Sequence, residues 1–495
     1  MTPDVPRPPS LLQSLIPVAF LIGMLAASVS LFGDSSSRGP SQIALILSAG
    51  VAIILGIANG HTWKELERGI VEGISLAMGA ILILLMVGAL IGAWILGGIV
   101  PSMIYYGLGI LTPSVFYAAA CVICCITSLA TGSSWTTAGT VGVALVGIAA
   151  AQNLHLGMAA GAIVSGAYFG DKMSPLSDTT NLAPAMAGTD LFTHIRHMLW
   201  TTVPSISIAL VLFTIIGLRA TAPTDTTSVD AIRQAISAQF VIGPHMLIPL
   251  AVVIGLVIAR VPAMPALLIG ALVGCVFAVI FQQAAVVAYV AQPELGHGAT
   301  LVKGAWMSLF DGFKLTSGNK ALDDLLSRGG MASMLQTVWL ILAAMMFGAV
   351  METTGMLQRI AASILGAVRG TGSLVAATLA TSFSMNVVAS DQYIAIVIPG
   401  RMFRAEFQRR RLHPKNLSRC LEDGGTMTSA LVPWNTCGAF MAQTLTVATF
   451  AYAPFAFFNL INPLLSLIYG LTGFTIEKLP PEEEPAATPA AIEQL

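Results

Sequence analysis

The stretch Gly170-Asp171-Lys172-Met173-Ser174-Pro175-Leu176-Ser177-Asp178-Thr179-Thr180-Asn181 lies inside a long hydrophobic chain. It holds two carboxylates, an ammonium, a helix-breaking proline and a run of small oxygen-bearing side chains. An uncompensated charge at bilayer depth costs roughly 2.5–3.5 kcal/mol on insertion scales. Broken backbone at that depth is tolerated only against protein or water. The stretch therefore reads as part of a buried ion site.

The surroundings set the fold class. The chain has 495 residues, 56% hydrophobic and only 9% charged, with a mean hydropathy of +0.82, whereas soluble domains carry about 25% charged residues. Apolar runs at 11–33, 41–59, 69–98, 199–218, 239–260, 263–291, 332–352 and 446–472 meet or approach the ~20 residues that cross a bilayer as a helix. The chain reads as an all-α polytopic membrane protein. A net charge of −1 without a basic aromatic tract excludes nucleic acid as a partner. The first apolar run is too long for a secretory signal and is expected to stay as a helix. Cys121, Cys124 and Cys125 lack a second pair or histidine cluster for zinc and read as packing residues. His194 and His197 fall in a short polar stretch and are expected to be solvated.

Positive residues near span ends mark the cytoplasmic side. Arg401, Arg404, Arg409, Arg410, Arg411, Lys415 and Arg419 place their loop inside, as Lys64 and Arg68 place theirs. Threading from an inside N-terminus puts fifteen basic residues inside against seven outside, with Lys172 left within the membrane. Both termini are then cytoplasmic, as expected for a multi-pass cytoplasmic (inner) membrane protein.

The same path exposes a duplication. Residues 1–218 and 239–474 read as two inverted-topology repeats, each of about five spans plus a re-entrant hairpin and a broken helix. The hairpins are 113–152 and 371–402, and the broken helices are 158–188 and 422–443. Gly132-Ser133-Ser134-Trp135-Thr136-Thr137-Ala138 aligns with Ala389-Ser390-Asp391-Gln392-Tyr393-Ile394-Ala395. Residues 219–238 read as an external linker, and 475–495, proline-rich and acidic, as a disordered cytoplasmic tail. Paired interrupted segments in corresponding places point to a transporter site near the midplane.

Four elements carry that site. The turn at Ser133 and Ser134 presents hydroxyls and free carbonyls suited to a hard cation, or is a small-residue helix contact. Asn386, Ser390 and Asp391 sit in an apolar run with no basic residue nearby, so Asp391 requires a partner from elsewhere, a cation or a proton. Asp171, Asp178, Thr179 and Asn181 flank Pro175, whose missing N–H frees a carbonyl upstream. Asn435 and Thr436 follow Pro433, while Glu422 reads as a helix cap. Glu72 and Glu352 read as packing or interface residues.

The string Gly166–Ala183, with Thr131–Thr140 upstream and Asp423–Gly438 downstream, closely resembles the signature of NhaC-type sodium/proton antiporters, and the likeness extends over 11–474. More distantly the layout resembles the ion-transporter superfamily. The resemblance implies a secondary active transporter exchanging Na⁺ for H⁺ by alternating access, without a cofactor, working as an elevator-type homodimer. Na⁺ would sit at Asp178, Asp391, Ser133 and Thr179, with Asp178 and Asp391 as the central pair. The alternative is Na⁺-coupled exchange of an organic hydroxy acid of the malate/lactate type, with Lys172, Asn181 or Asn386 as the anion anchor. A remote alternative is an intramembrane aspartyl protease, which also uses two membrane aspartates.

Overall fold

A computed structural model describes residues 6–32, 39–219, 226–318 and 320–479. The 34–37 loop residues, 220–225 of the linker and the acidic tail from Pro480 onward lie outside the described residues. Within them the chain is helical throughout, with only two isolated β-bridges. Eight helices are long and apolar enough to cross a membrane, or ten if two bent pairs each count as one. All six cysteines are free, and five are buried.

The frame is built on the helix Trp63–Leu96. Thr62 starts it with a reciprocal cap: its hydroxyl accepts from Glu65 N at 3.3 Å, and Glu65 Oε2 accepts from Thr62 N at 3.0 Å. Its 34 residues give a rod of about 51 Å at ~1.5 Å per residue, well beyond the ~30 Å hydrocarbon core. Helices Ala263–Phe281 and Leu335–Thr353 both pack along it. Small residues allow the close approach: a Cβ on Gly73 would lie 2.4 Å from Ala349 Cβ.

Two hairpins rest on this frame. The first runs from Phe116–Thr131 through Gly132 and Ser133 into Ser134–Thr137, a π-turn and Val143–Ala151. The second pairs Thr371–Val388 with Gln392–Arg409. Two broken helices accompany them. One is Leu156–Met173 followed by Asp178–Ala187. The other is Pro414–Leu421, a π-turn at Glu422–Thr426 and Met427–Ser429, followed by Thr436–Leu445.

The backbone repeats with a spacing of 258 residues. Gly132 (φ 67°) matches Ser390 (φ 60°) and Asn153 (φ 53°) matches Arg411 (φ 55°). Helix-capping Ser133 (φ −144°, ψ 118°) matches Asp391 (φ −140°, ψ 136°), and helix-capping His155 matches His413. Ser177 (φ −75°, ψ 138°) matches Asn435 (φ −69°, ψ 146°), and Gly188 matches Thr446, both left-handed. The sequence alignment of the tips thus moves by one residue, pairing Gly132 with Ser390 rather than with Ala389. Further upstream, left-handed Gly60 and Arg260 are 200 residues apart, but Gly98 and Gly355 are 257 apart. The chain between Arg260 and Gly355 is thus 57 residues longer than that between Gly60 and Gly98, and it carries the two frame helices Ala263–Phe281 and Leu335–Thr353 where the shorter stretch carries the single rod Trp63–Leu96.

Three sequence expectations change here. The linker carries a helix, Thr226–Gln239, with Arg233 lying 4.4 Å over the Tyr105 ring. The His194–His197 stretch is no solvated loop: both residues are buried in the first turns of Leu191–Arg219. The start of the expected tail is also ordered, since Lys478 bridges to Leu412 and His413 N donates to Glu477 O at 2.9 Å.

Candidate functional site

Each hairpin tip meets the break in one broken helix. At the first tip a Cβ on Gly132 would sit 2.6 Å from Leu176 Cβ and 2.8 Å from the Leu176 carbonyl carbon. Gly132→Ala, which also demands a left-handed alanine, is expected to cost about 1–3 kcal/mol, measured as a lowered unfolding midpoint in detergent. At the second tip Thr436 N donates to Ser390 O at 3.0 Å, and Trp434 Nε1 donates to Val387 O at 2.7 Å. Contacts between the two halves close the ring. Trp135 stacks on Phe440 with centroids 4.1 Å apart, and the Tyr168 and Ser429 hydroxyls are 3.3 Å apart.

Asp171 is the carboxylate this arrangement encloses. Ser134 Oγ, from the first tip, donates to its Oδ2 at 2.5 Å, and Ser177 Oγ, from the helix break, donates to its Oδ1 at 2.7 Å. Ser177 Oγ is also 3.2 Å from Thr179 Oγ1. Thr180 Oγ1 donates to the Asp171 carbonyl at 2.7 Å and so pins the break against the helix before it.

Asp391 caps its helix, its Oδ1 accepting from Tyr393 N at 2.8 Å and Ile394 N at 3.1 Å. The Thr436 hydroxyl lies beside it. Tyr393 stands between the halves, within electrostatic reach of Asp178, Asp171 and Asp391. Asp178 itself is exposed at the start of Asp178–Ala187. In the expected Asp178–Asp391 pair, then, only Asp391 is buried, as Asp171 is too. The reason is local. The break at 174–177 resets the helical phase, so that Asp171 turns inward while Asp178 opens the next helix facing out.

Several expected ligands are engaged elsewhere. Asn386 Nδ2 donates to Gly425 O at 2.6 Å and to Thr428 Oγ1 at 2.9 Å. Asn435 Nδ2 donates to Asn386 Oδ1 at 3.0 Å, and Asn435 Oδ1 accepts from Cys437 N at 3.0 Å. These two asparagines lock the second tip to the second break. Asn181, exposed, donates to Pro175 O at 2.9 Å and Ser177 O at 2.7 Å. Ser133, half-buried, accepts from Thr136 N at 3.1 Å as a helix cap. Ser390 is buried, and its hydroxyl has no hydrogen-bond partner among the described residues.

Lys172 points away from Asp171. Its ammonium pairs with the Asp423 carboxylate and donates to Asn462 Oδ1 at 2.8 Å, with both charged side chains fully buried. This corrects the reading of Lys172 as an anion anchor, because its charge is already matched. The partner lies 251 residues away, beyond any local signal.

Ser177 and Tyr393 were not among the site residues expected from sequence. Ser177 stands in the polar run that drew attention to the site, but no spacing argument singles it out. Tyr393 looks like an ordinary apolar-flanked tyrosine until the fold brings it against the other half. Among the described residues no three His, Cys, Asp or Glu side chains gather as a metal site. A cation here would need hydroxyl and carbonyl oxygens as well as carboxylates, which suits a hard monovalent ion.

Residues 166–474 match the profile of the Na⁺/H⁺ antiporter family. The chain is 38% identical to the Na⁺/H⁺ antiporter NhaC of Alkalihalophilus pseudofirmus, over 88% of this chain and 91% of that one. It is 37% identical to the malate-2H⁺/Na⁺-lactate antiporter of Bacillus subtilis, over 94% of this chain and 96% of that one.

Proposed function

Because the chain belongs to the Na⁺/H⁺ antiporter family, we propose that it exchanges Na⁺ for H⁺ across the cytoplasmic membrane, with Asp171 as the carboxylate for which the two ions compete. It is a transporter, not an enzyme, and the aspartyl protease reading falls with that membership.

The observation that carries the proposal is the enclosure of Asp171, held by one serine from the hairpin tip and one from the helix break. A carboxylate so placed binds a desolvated cation when ionised and releases it when protonated. Asp178, Asp391, Thr436 and the neighbouring hydroxyls supply further oxygens. Each hairpin with its broken helix would move as one body against the frame helices, in two halves of inverted topology, giving alternating access of the elevator type in a homodimer with cytoplasmic termini.

The test is purified protein in proteoliposomes with an imposed pH gradient. Na⁺ is expected to collapse the gradient and K⁺ to leave it. The absence of any Na⁺ response overturns the reading.

The likeness to the malate/lactate antiporter keeps organic-acid exchange as a second reading. Labelled malate or lactate moving only with a Na⁺ gradient would favour it. That reading needs an anion anchor other than Lys172.

A further inference from the structure

Glu422 has no part in the site described so far, and the helix-cap role expected from its sequence context does not fit it. It opens the π-turn Glu422–Thr426 and is fully buried. Neither carboxylate oxygen has a hydrogen-bond partner among the described residues. The Thr179 and Thr426 hydroxyls lie beside it, and Lys172 and Asp171 are within electrostatic reach.

No ion pair among the described residues reaches Glu422. Lys172 is taken by Asp423. Arg419, on the packed helix Pro414–Leu421, is fully buried, its Nη1 donating to the neutral Thr475 hydroxyl at 2.7 Å while Nε and Nη2 have no partner among the described residues, and it makes no ion pair with Glu422. Lys415 pairs with Glu477, Glu406 pairs with Arg409 and Arg410, Arg401 and Arg404 are exposed, and on the neighbouring helix His194 Nδ1 is 2.8 Å from Ser418 Oγ. Cys420, Asp178 and Tyr393 also lie on these elements. Helix Thr371–Val388 contributes no ionisable side chain, and Phe457–Thr472 only Tyr469. A bare carboxylate in such a place costs several kcal/mol, so Glu422 carries a proton or a cation.

A chain of hydroxyls leads from it to the ion site. Asp171 Oδ1 is 2.7 Å from Ser177 Oγ and Ser177 Oγ is 3.2 Å from Thr179 Oγ1, while Thr179 lies beside Glu422 without a hydrogen bond to it, so the last link closes only when the Thr179 hydroxyl swings onto the carboxylate. A hydroxyl both donates and accepts, so each link can pass one proton on and take one up.

We propose that Glu422 is a second exchangeable-proton site, linked to Asp171 through Ser177 and Thr179. This rests on Na⁺/H⁺ exchange at Asp171. When alternating access opens this side of the site to water, Glu422 gives up its proton to a water molecule, and the Asp171 proton passes to Ser177 while Ser177 passes its own to Thr179 and Thr179 its own to Glu422. Both hydroxyls end as they began, one proton leaves, and Asp171 is left as the carboxylate that accepts Na⁺.

Infrared difference spectroscopy on the full chain in lipid, with pH stepped upward in Na⁺-free buffer, tests this. The wild type is expected to show a protonated-carboxyl C=O band that disappears on titration, persists in Asp171→Asn and is missing from Glu422→Gln. An identical spectrum in Glu422→Gln and wild type overturns the proposal. Thr179→Val is expected to keep the band but slow Na⁺-induced proton release roughly tenfold, and release at the wild-type rate overturns the relay. Because the band is read without transport, a wild type that shows no Na⁺ response refutes the antiport reading alone, while the spectra still decide Glu422.

Discussion

Asp171→Asn is expected to abolish Na⁺-driven proton movement in proteoliposomes while leaving the protein folded. The amide keeps the size of the acid, its oxygen accepting from one serine and its NH₂ donating to the other, so Ser134 and Ser177 each retain a partner and the unfolding midpoint should stay near that of the wild type. The negative charge is lost, and with it the only means by which one side chain can exchange a cation for a proton. Losing a charged interaction in an enclosed site costs about 3–5 kcal/mol, which at ~1.4 kcal/mol per tenfold is roughly a hundredfold to a few thousandfold in Na⁺ affinity. Asp178→Asn, at an exposed position, should cost about tenfold or less, since solvent screens its charge. If Asp178→Asn silences transport and Asp171→Asn leaves it within a tenth of wild type, the central role belongs to Asp178.

The largest stability effect is expected at the other buried charge. Lys172→Met strands the Asp423 carboxylate in a dry interior, with only the distant Thr201 hydroxyl at 3.4 Å and no partner for Oδ2. Breaking a buried ion pair from one side costs about 3–5 kcal/mol, whereas replacing both partners by apolar groups is often neutral. Lys172→Met should therefore lower the unfolding midpoint in detergent sharply, and adding Asp423→Leu should restore most of the loss. A double variant no more stable than the single one would refute the pairing. The same pair of proteins separates structure from substrate: an anion anchor would show as weakened organic-acid uptake that Asp423→Leu does not repair.

Much of this was legible in the sequence. Hydrophobic run lengths define the membrane class, and the polar interruptions at Gly132–Ser134, Ser174–Ser177, Ser390–Asp391 and Pro433–Asn435 fall where the helices break. What the chain could not reveal is helical phase across a break. Asp171 and Asp178 look equivalent as letters, and only the turn at 174–177 decides which faces inward. Long-range pairing is equally hidden: Lys172 and Asp423, or Asn386 and Asn435, meet because helices pack, not because of any spacing. Glu422 was misread for the same reason. Its nearness to the Arg401–Arg419 loop suggested a surface cap, whereas the π-turn folds it into the interior.

The 258-residue spacing of the backbone can be applied to the chemistry as well. By that spacing Asp171 stands opposite Ser429, Lys172 opposite Ala430, Asp178 opposite Thr436, and Asp391 opposite Ser133. No acid is matched by an acid, although the dihedral angles beneath them agree. The architecture is thus even-handed while its electrostatics are lopsided: opposite Asp171, Asp178, Asp391 and Asp423 the other copy holds a hydroxyl, and opposite Glu422 the apolar Val164. Were both copies charged, four or more anions would crowd one enclosure and repel. Pairing each acid with its uncharged counterpart gives a single cation the oxygen neighbours it needs and limits the negative charge it must neutralise.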